Sequence, residues 1–247
     1  MLELYHLPHS ICSQKVRICL AEKELPWTGH VVDLSSFEHL SDAYLKINPN
    51  GVVPALVHDG QNVIESTVIC EYLDEVFPDS PLSPSSALGR ASMRAWLRFV
   101  DEIPTASVRI PSFNVKILAT YEKIPQEELD ALIEKMPLRK HFFRRMGRAG
   151  FSPEEQAASL DQLQLTIHRI DLSLTDGKWL VGSDFTIADI CMAPLLQRME
   201  DLNLSYLWNT HARVGRWLDN VRERPSFAKA FPPGSRLNEA IAAETTV

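Results

Sequence analysis

The sequence predicts a two-domain chain: an α/β N-terminal domain over residues 1–80 and an all-α C-terminal helical domain over residues 86–247. Three observations predict it. The first part of the chain alternates short strand-like and helix-like segments in the order β-α-β-α-β-β-α, enough for one small mixed sheet. Pro78, Pro81 and Pro84 then interrupt a stretch that cannot be helical, which marks a domain boundary. Beyond it the apolar residues recur at helical spacing and no convincing strand pattern appears.

Each element has a local reason. Leu2-Glu3-Leu4-Tyr5 alternates and reads as a strand, with Tyr5 in a core on the face away from His6. Ser13 to Glu24 carries Val16, Cys19 and Leu20 on a helical stripe, and Pro26 stops it. His30 to Leu34 is strand-like, and Asp42 to Ile47 is a short helix ahead of Asn48-Pro49. Ala55 to His58 and Asn62 to Ile64 flank Asp59-Gly60, a hairpin signal. Ser66 opens a helix to Phe77 with Val68, Ile69, Tyr72, Leu73 and Val76 as its apolar stripe. In the C-terminal domain, residues 86–120, 153–174, 186–200 and 210–223 read as helices, with a kink or break expected from Pro104 and Pro111. Thr186 and Asp189 form a capping box with Asp in place of Glu. Trp96, Trp179, Trp208 and Trp217 are expected at helical core positions, and the tail after Phe231 is expected to be loosely held.

Composition narrows the function. Of 247 residues, 45% are apolar and 23% charged, an ordinary globular balance that excludes a disordered or fibrous chain. Lys plus Arg number 25 against 32 Asp plus Glu, a net charge of −7, which disfavours a nucleic-acid binder. No run approaches the roughly 20 apolar residues that span a bilayer, and MLELYHLPHS lacks the features of a signal peptide. Cys12, Cys19, Cys70 and Cys191 are scattered, with no CxxC pair, so neither a disulfide framework nor a metal site is expected. Cys19, Cys70 and Cys191 lie in apolar stripes and read as core. The expectation is a soluble, reduced, cytoplasmic protein without a metal, nucleic-acid or membrane partner.

Three segments carry chemistry. Pro8-His9-Ser10-Ile11-Cys12-Ser13 precedes a helix, where free N–H groups and a positive partial charge suit an anion. A hydroxyl there can hold a thiolate, and Cys12 can supply one; plain capping by Ser10 or Ser13 is equally consistent with this segment alone. In Asn48-Pro49-Asn50-Gly51-Val52-Val53-Pro54-Ala55, Val53-Pro54 enters a strand and is a candidate cis bond, which would turn the backbone polar groups of Val53 towards an extended peptide. A trans proline at a strand start is the alternative. Glu65-Ser66 opens the next helix, where Ser66 can bind a carboxylate and Glu65 an ammonium; a capping serine beside a solvated glutamate explains an isolated pair as well. Residues 137–148 interleave Arg139, Lys140, Arg144, Arg145 and Arg148 with Phe142, Phe143 and Met146. An amphipathic helix with a solvated basic face is the preferred reading, ahead of a wall for an anionic or aromatic substrate.

Taken together, SICSQKVRICL, NPNGVVPAL, VIESTVICEYLDEVFP and WLVGSDFTIADI resemble the glutathione transferase superfamily over nearly the whole chain. The resemblance implies a thioredoxin-like N-terminal domain, a helical C-terminal domain, glutathione as co-substrate and a homodimer. It implies a cis Val53-Pro54 bond whose Val53 backbone pairs with the cysteinyl unit, Glu65 and Ser66 on the γ-glutamyl group, and His39 on the glycyl carboxylate. His6 stands where alpha, mu and pi classes use tyrosine, so that route is not available. Ser10-Ile11-Cys12-Ser13 is similar to the Ser-x-Cys-Ser of zeta-class enzymes, where the serine matching Ser10 supports the thiolate. It is equally similar to bacterial reductive dehalogenases, where the cysteine matching Cys12 forms a mixed disulfide. Val52 replaces a glutamine found in many members, which implies one polar contact fewer. A narrower likeness, INPNGVVPALVHDG with MRAWLRFVDE and PLRKHFFRRMGRAGF, is to bacterial β-etherases that cleave lignin-derived aryl ethers; their serine matches Ser13, and they lack this cysteine.

The energetics are feasible without a metal. A free thiol has a pKa near 8.5, and lowering it by about two units requires roughly 2.7 kcal/mol. One hydrogen bond to a charged sulfur supplies ~1.5–3 kcal/mol and a helix N-terminus roughly 0.3–1 more. The leading expectation is conjugation of glutathione to a small hydrophobic or aromatic electrophile seated near residues 104–118, in detoxification or aromatic degradation, with β-aryl ether cleavage as one version. The alternatives are Cys12-dependent redox or isomerase chemistry, and a non-catalytic glutathione-fold binding protein.

Overall fold

The computed structural model describes residues 1–245. β1 (Leu2–His6), β2 (Thr28–Val31), β3 (Ala55–His58) and β4 (Gln61–Ile64) form one sheet in the order β2-β1-β3-β4. β1 pairs parallel to β2 and antiparallel to β3, which pairs antiparallel to β4 through the Asp59-Gly60 turn. Along β1 the burial alternates: Leu2, Leu4 and His6 are buried, while Tyr5 joins Val32, Tyr44 and Val53 on the opposite face. The second strand lies two to three residues earlier than its pattern suggested, because Gly29 and His30 pair with Leu4 and Tyr5.

α1 (Ile11–Glu22) starts two residues before the expected Ser13, with Ser10 as its cap accepting from the Ser13 N–H. Every residue from Ser13 to Leu20 is buried, because α1 packs against α3 (Ser66–Val76), α9 (Ile187–Asp201) and α11 (Pro225–Ala230) as well as sharing the core with the sheet. A helix hydrophobic on one stripe only must then satisfy its polar face inside the protein. Gln14 donates to the Ser235 carbonyl (2.8 Å), Lys15 to Asp101 (3.1 Å) and Arg17 to the carbonyls of Pro8 and Ala230. α2 (Asp42–Leu45) completes the N-terminal part.

The C-terminal part is helical throughout its regular structure. α4 (Ala87–Glu102) and α5 (Pro104–Tyr121) are separate helices rather than one, since Pro104 opens a new first turn. Pro111 does not break α5. It cannot donate to the Ser107 carbonyl, and Ser159 of α8 (Pro153–Ser173) donates to that carbonyl instead at 2.7 Å. α6 (Gln126–Glu134), α7 (Lys140–Met146), α10 (Ala212–Arg222), α11 and α12 (Leu237–Thr245) complete it. The expected loose tail is a correction: within the described residues it forms α12, held where Arg236 and the Leu237 N–H both bond Asp201. Residues 246–247 of that expectation lie outside the described residues. Trp96, Trp179, Trp208 and Trp217 are all buried, but Trp179 sits in a short pairing with Gly182 and Trp208 in a 3-10 turn, not in α-helices.

The Thr186–Asp189 capping box forms as expected and does more than cap. Asp189 is fully buried, and its carboxylate also accepts from the Leu180 N–H and from Trp217 Nε1 (2.8 Å). Burial pushes its pKa up, opposed by these donors. Stranding buried donors costs roughly 1–3 kcal/mol each, so Asp189→Ala should remove about 3 kcal/mol or more of unfolding free energy in urea titrations, and Asp189→Asn less. Ser159→Ala, which leaves the Ser107 carbonyl unpaired, should cost about 1–3 kcal/mol. Urea midpoints indistinguishable from the parent would contradict both assignments.

Candidate active site

A cavity of about 300 Å³ lies between the start of α1, the loops around residues 33–39 and 50–53, and the face of α5. Ser10 and Cys12 line it. Cys12 is half-buried and free, as are the buried Cys19, Cys70 and Cys191. Ser13 is fully buried, and its Oγ accepts from the Leu7 N–H at 3.3 Å. The helical turn thus gives these three residues different surroundings: two face the cavity, and the third braces the loop that leads into the helix.

The second segment forms the adjoining wall. Val53-Pro54 is cis. The carbonyl of Val52 accepts from Tyr44 Oη and from Asn48 Nδ2, both at 2.7 Å, which fixes the approach to Val53. Val53 lines the cavity, and among the described residues neither its N–H nor its C=O has a hydrogen-bond partner. Gly51 has φ +59, and a Cβ there would press on Pro137 and Leu40, so this turn needs glycine. Beyond it, Glu65 caps α3 with φ +71, an uncommon conformation for a non-glycine residue, and accepts from Asn50 Nδ2 at 3.1 Å. Ser66 is the buried first residue of α3.

His39 is 8% exposed, lines the cavity and stacks on Phe37, and its Nδ1 has no partner. Burial holds its pKa down at about 4 against the pull of Asp33. His6, beneath the sheet beside Arg17, is likewise lowered to about 4 by burial and by that guanidinium.

The electrostatics were only partly legible. Of the basic run 137–148, Lys140 and Arg144 pair with Glu134, Arg145 pairs with Glu155, and Arg148 donates to the Ile124 carbonyl. That is the solvated-face reading for Lys140, Arg144 and Arg145, whereas Arg148 is half-buried with its Nε buried and unpartnered among the described residues. Arg139 differs again and lines the cavity. Arg109 from α5 and Arg198 from α9 join it, and no sequence motif announced either. The one available signal for Arg198 was a charge inside the apolar run MAPLLQRM, every residue of which is buried. Burial lowers Arg198 to about 10, and it donates to the His9 carbonyl. Burial, with repulsion from Arg139, lowers Arg109 to about 9, still cationic at neutral pH. Lys15, Arg109, Arg139 and Arg198 would each be attracted to a negative charge at Cys12. Among the described residues, no group of His, Cys, Asp or Glu is placed to hold a metal ion, and no helix is long and apolar enough to cross a membrane.

The fold and the site define a thioredoxin-like domain with a helical partner domain, built around a peptide-sized pocket at a helix N-terminus. Residues 4–81 match the family model for the N-terminal domain of glutathione S-transferases, and residues 124–225 match that for the C-terminal domain. The chain is 36% identical over 244 residues to Protein LigF of Sphingobium sp. (strain SYK-6), covering 95% of both chains. It is 33% identical over 238 residues to a probable maleylacetoacetate isomerase of Caenorhabditis elegans, covering 95% of this chain and 96% of the relative. The crystal structure of β-etherase LigF superposes with a TM-score of 0.86 at 34% identity, covering 93% of this chain and 98% of that one. The chain belongs to the glutathione S-transferase family and is a glutathione-dependent transferase.

The two low histidines set an acid limit on stability. Each is neutral in the fold, with a folded pKa near 4 against about 6.5 unfolded, so the unfolded chain binds more protons. Their contribution is complete above pH 6.5 and is lost as pH falls towards 4. Urea midpoints should therefore drop across that window, and His39→Asn should flatten the slope. A parent midpoint independent of pH between 6.5 and 4 would contradict this account.

Proposed function

We propose that the chain uses glutathione thiolate to displace an aryloxide from a small aromatic ether. The carrying observation is the unpaired main chain of Val53 in the same cavity as Ser10 and His39. An extended peptide satisfies both Val53 groups, as an added strand satisfies a sheet edge. Its cysteinyl sulfur then lies by the start of α1, its γ-glutamyl group near Glu65 and Ser66, and its glycyl carboxylate on the unpartnered His39 Nδ1. Ser10 donates to the sulfur, while the N-terminus of α1 and the surrounding cations favour its ionised form. Ser13 acts indirectly, by holding Leu7 and the loop. The sulfur attacks the ether carbon, a C–S bond forms, and the C–O bond breaks to release a phenolate. The phenylalanines and Tyr121 of the helical wall suit an aromatic group. The LigF structure described as a β-etherase supports the ether as substrate class.

A second reading runs through Cys12, because it is free and lines the same cavity. There an oxidising second substrate, such as a reducible aryl halide, takes up two electrons and releases halide as the sulfurs of Cys12 and glutathione join in a mixed disulfide. The resemblance also supports a homodimer. Val68 of α3, half exposed, lies on one stripe with Glu71 and Glu75, which face Arg94 of α4, a mixed surface suited to a two-fold contact. The free cysteines accord with a reducing, cytoplasmic setting.

Calorimetry should show glutathione binding, and a guaiacyl β-aryl ether should release its phenol only when glutathione is present. Ser10→Ala should lower kcat/KM at least about tenfold, the worth of one charge-assisted hydrogen bond, while Cys12→Ser should leave phenol release largely intact. Loss of turnover in Cys12→Ser with Ser10→Ala unaffected would move the assignment to the disulfide route. Absence of glutathione affinity would leave a scaffold without the reaction.

A further inference from the structure

Arg109 and Arg139 are half-buried in one cavity wall, and their charges are not answered by the protein. Among the described residues neither guanidinium has an ion pair or a hydrogen bond. Arg109 is held only by its approach to the Phe142 ring, 5.7 Å from the centroid. The two repel one another, and the carboxylates that each senses, Asp101 and Glu65, make no salt bridge with them. One side of the cavity they face is aromatic and apolar, with Phe113, Phe143, Tyr121 and Met136; Asp33 is the one carboxylate among the described residues that line it, and it accepts from the N–H and hydroxyl of Ser35. By contrast, four of the five basic residues in the run 137–148 find a carboxylate or carbonyl. Charged groups withdrawn from water are ordinarily paired, and two like charges that face one cavity without a protein carboxylate against them favour an anion from outside.

Glutathione alone does not meet that requirement on the reading given above. Its glycyl carboxylate goes to His39 and its γ-glutamyl carboxylate to Ser66, which leaves one thiolate for Arg109 and Arg139, Arg198 being already held by the His9 carbonyl and Asp201. We infer that the second substrate is itself anionic: an aromatic molecule bearing a carboxylate, which Arg109 and Arg139 grip together while its ring lies against Phe113 and Phe143. Planar forked donors match a carboxylate with two hydrogen bonds each, and this geometry selects a fixed anion over a neutral isostere. This inference rests on the transferase reading for the reaction, but not for the binding of the anion.

The test compares a carboxylate with its amide. Nitrobenzoate and nitrobenzamide, both unreactive, are titrated into the protein with and without saturating glutathione. A chloronitrobenzoate and its chloronitrobenzamide are compared as electrophiles by kcat/KM. The parent protein should prefer the carboxylate at least about tenfold in both measurements, as expected for charge-assisted pairing. Arg109→Gln and Arg139→Gln should each cut that ratio several-fold, Arg109→Lys should retain part of it, and the double glutamine variant should bring it near one. Using a ratio within each variant guards against changes in folding or glutathione affinity. A parent ratio near one, or a ratio unmoved in both glutamine variants, overturns the inference. So does displacement of nitrobenzoate by glutathione, which would hand the arginines to a glutathione carboxylate. Preference for nitrobenzoate in a protein with no glutathione affinity would support the anion site while removing the transferase reading.

Discussion

The structure depends on burying α1 on every side. An ordinary surface helix buries one stripe and leaves its polar face to water. Here the polar face is turned into the helical domain, and Gln14, Lys15 and Arg17 must all find partners there. Asp101 of α4 takes both Lys15 and Thr67, so one carboxylate ties α1 and α3 to the helical domain. Such a pair gives little net stability, because desolvating the ammonium offsets most of the Coulomb gain. Its effect is on register. With Lys15 fully buried, α1 cannot slide or rotate without abandoning a charge, so its first turn is fixed relative to α4. The cavity is the gap that this fixed geometry leaves.

That constraint also explains how an acidic protein makes a cationic pocket. A net charge of −7 governs long-range encounters and argues against polyanions. It says nothing about a space enclosed between the start of α1, two loops and the face of α5. Arg109, Arg139 and Arg198 come from different elements and meet only through the tertiary fold. Their charges act at short range across a low-dielectric cavity, where screening by solvent is weak.

The legible parts were those set by local rules. The hairpin, the Ser66 helix, the Thr186–Asp189 box and the Pro104 break follow from turn chemistry, capping and proline sterics, all of which act within a few residues. The segments around Ser10 and Val53, each a continuous stretch, do line the cavity, whereas Glu65 and Ser66 are not among the residues that line it. What failed depended on distant partners. Pro111 reads as a kink until Ser159, on another helix, supplies the missing donor. The tail reads as loose until Asp201 holds it. The basic run reads as one feature, yet Arg139 parts from its neighbours because Glu134 and Glu155 occupy theirs.

Placement of three polar residues at the start of α1 sets what each of the two proposed thiol chemistries would need. Had Ser10, Cys12 and Ser13 shared one face, a glutathione sulfur would meet all of them. The helical turn instead spends Ser13 on Leu7, leaving a hydroxyl and a thiol on the cavity. A hydroxyl can stabilise a thiolate without being changed, so it serves every turnover. A mixed disulfide with Cys12 removes two electrons from the two thiols and therefore needs an oxidising substrate each cycle. Displacement at carbon conserves oxidation state and needs only a leaving group. On the proposed reading, an aromatic pocket whose arginines would hold a carboxylated ring suits the second process, and Cys12 would stand beside the reaction rather than in it.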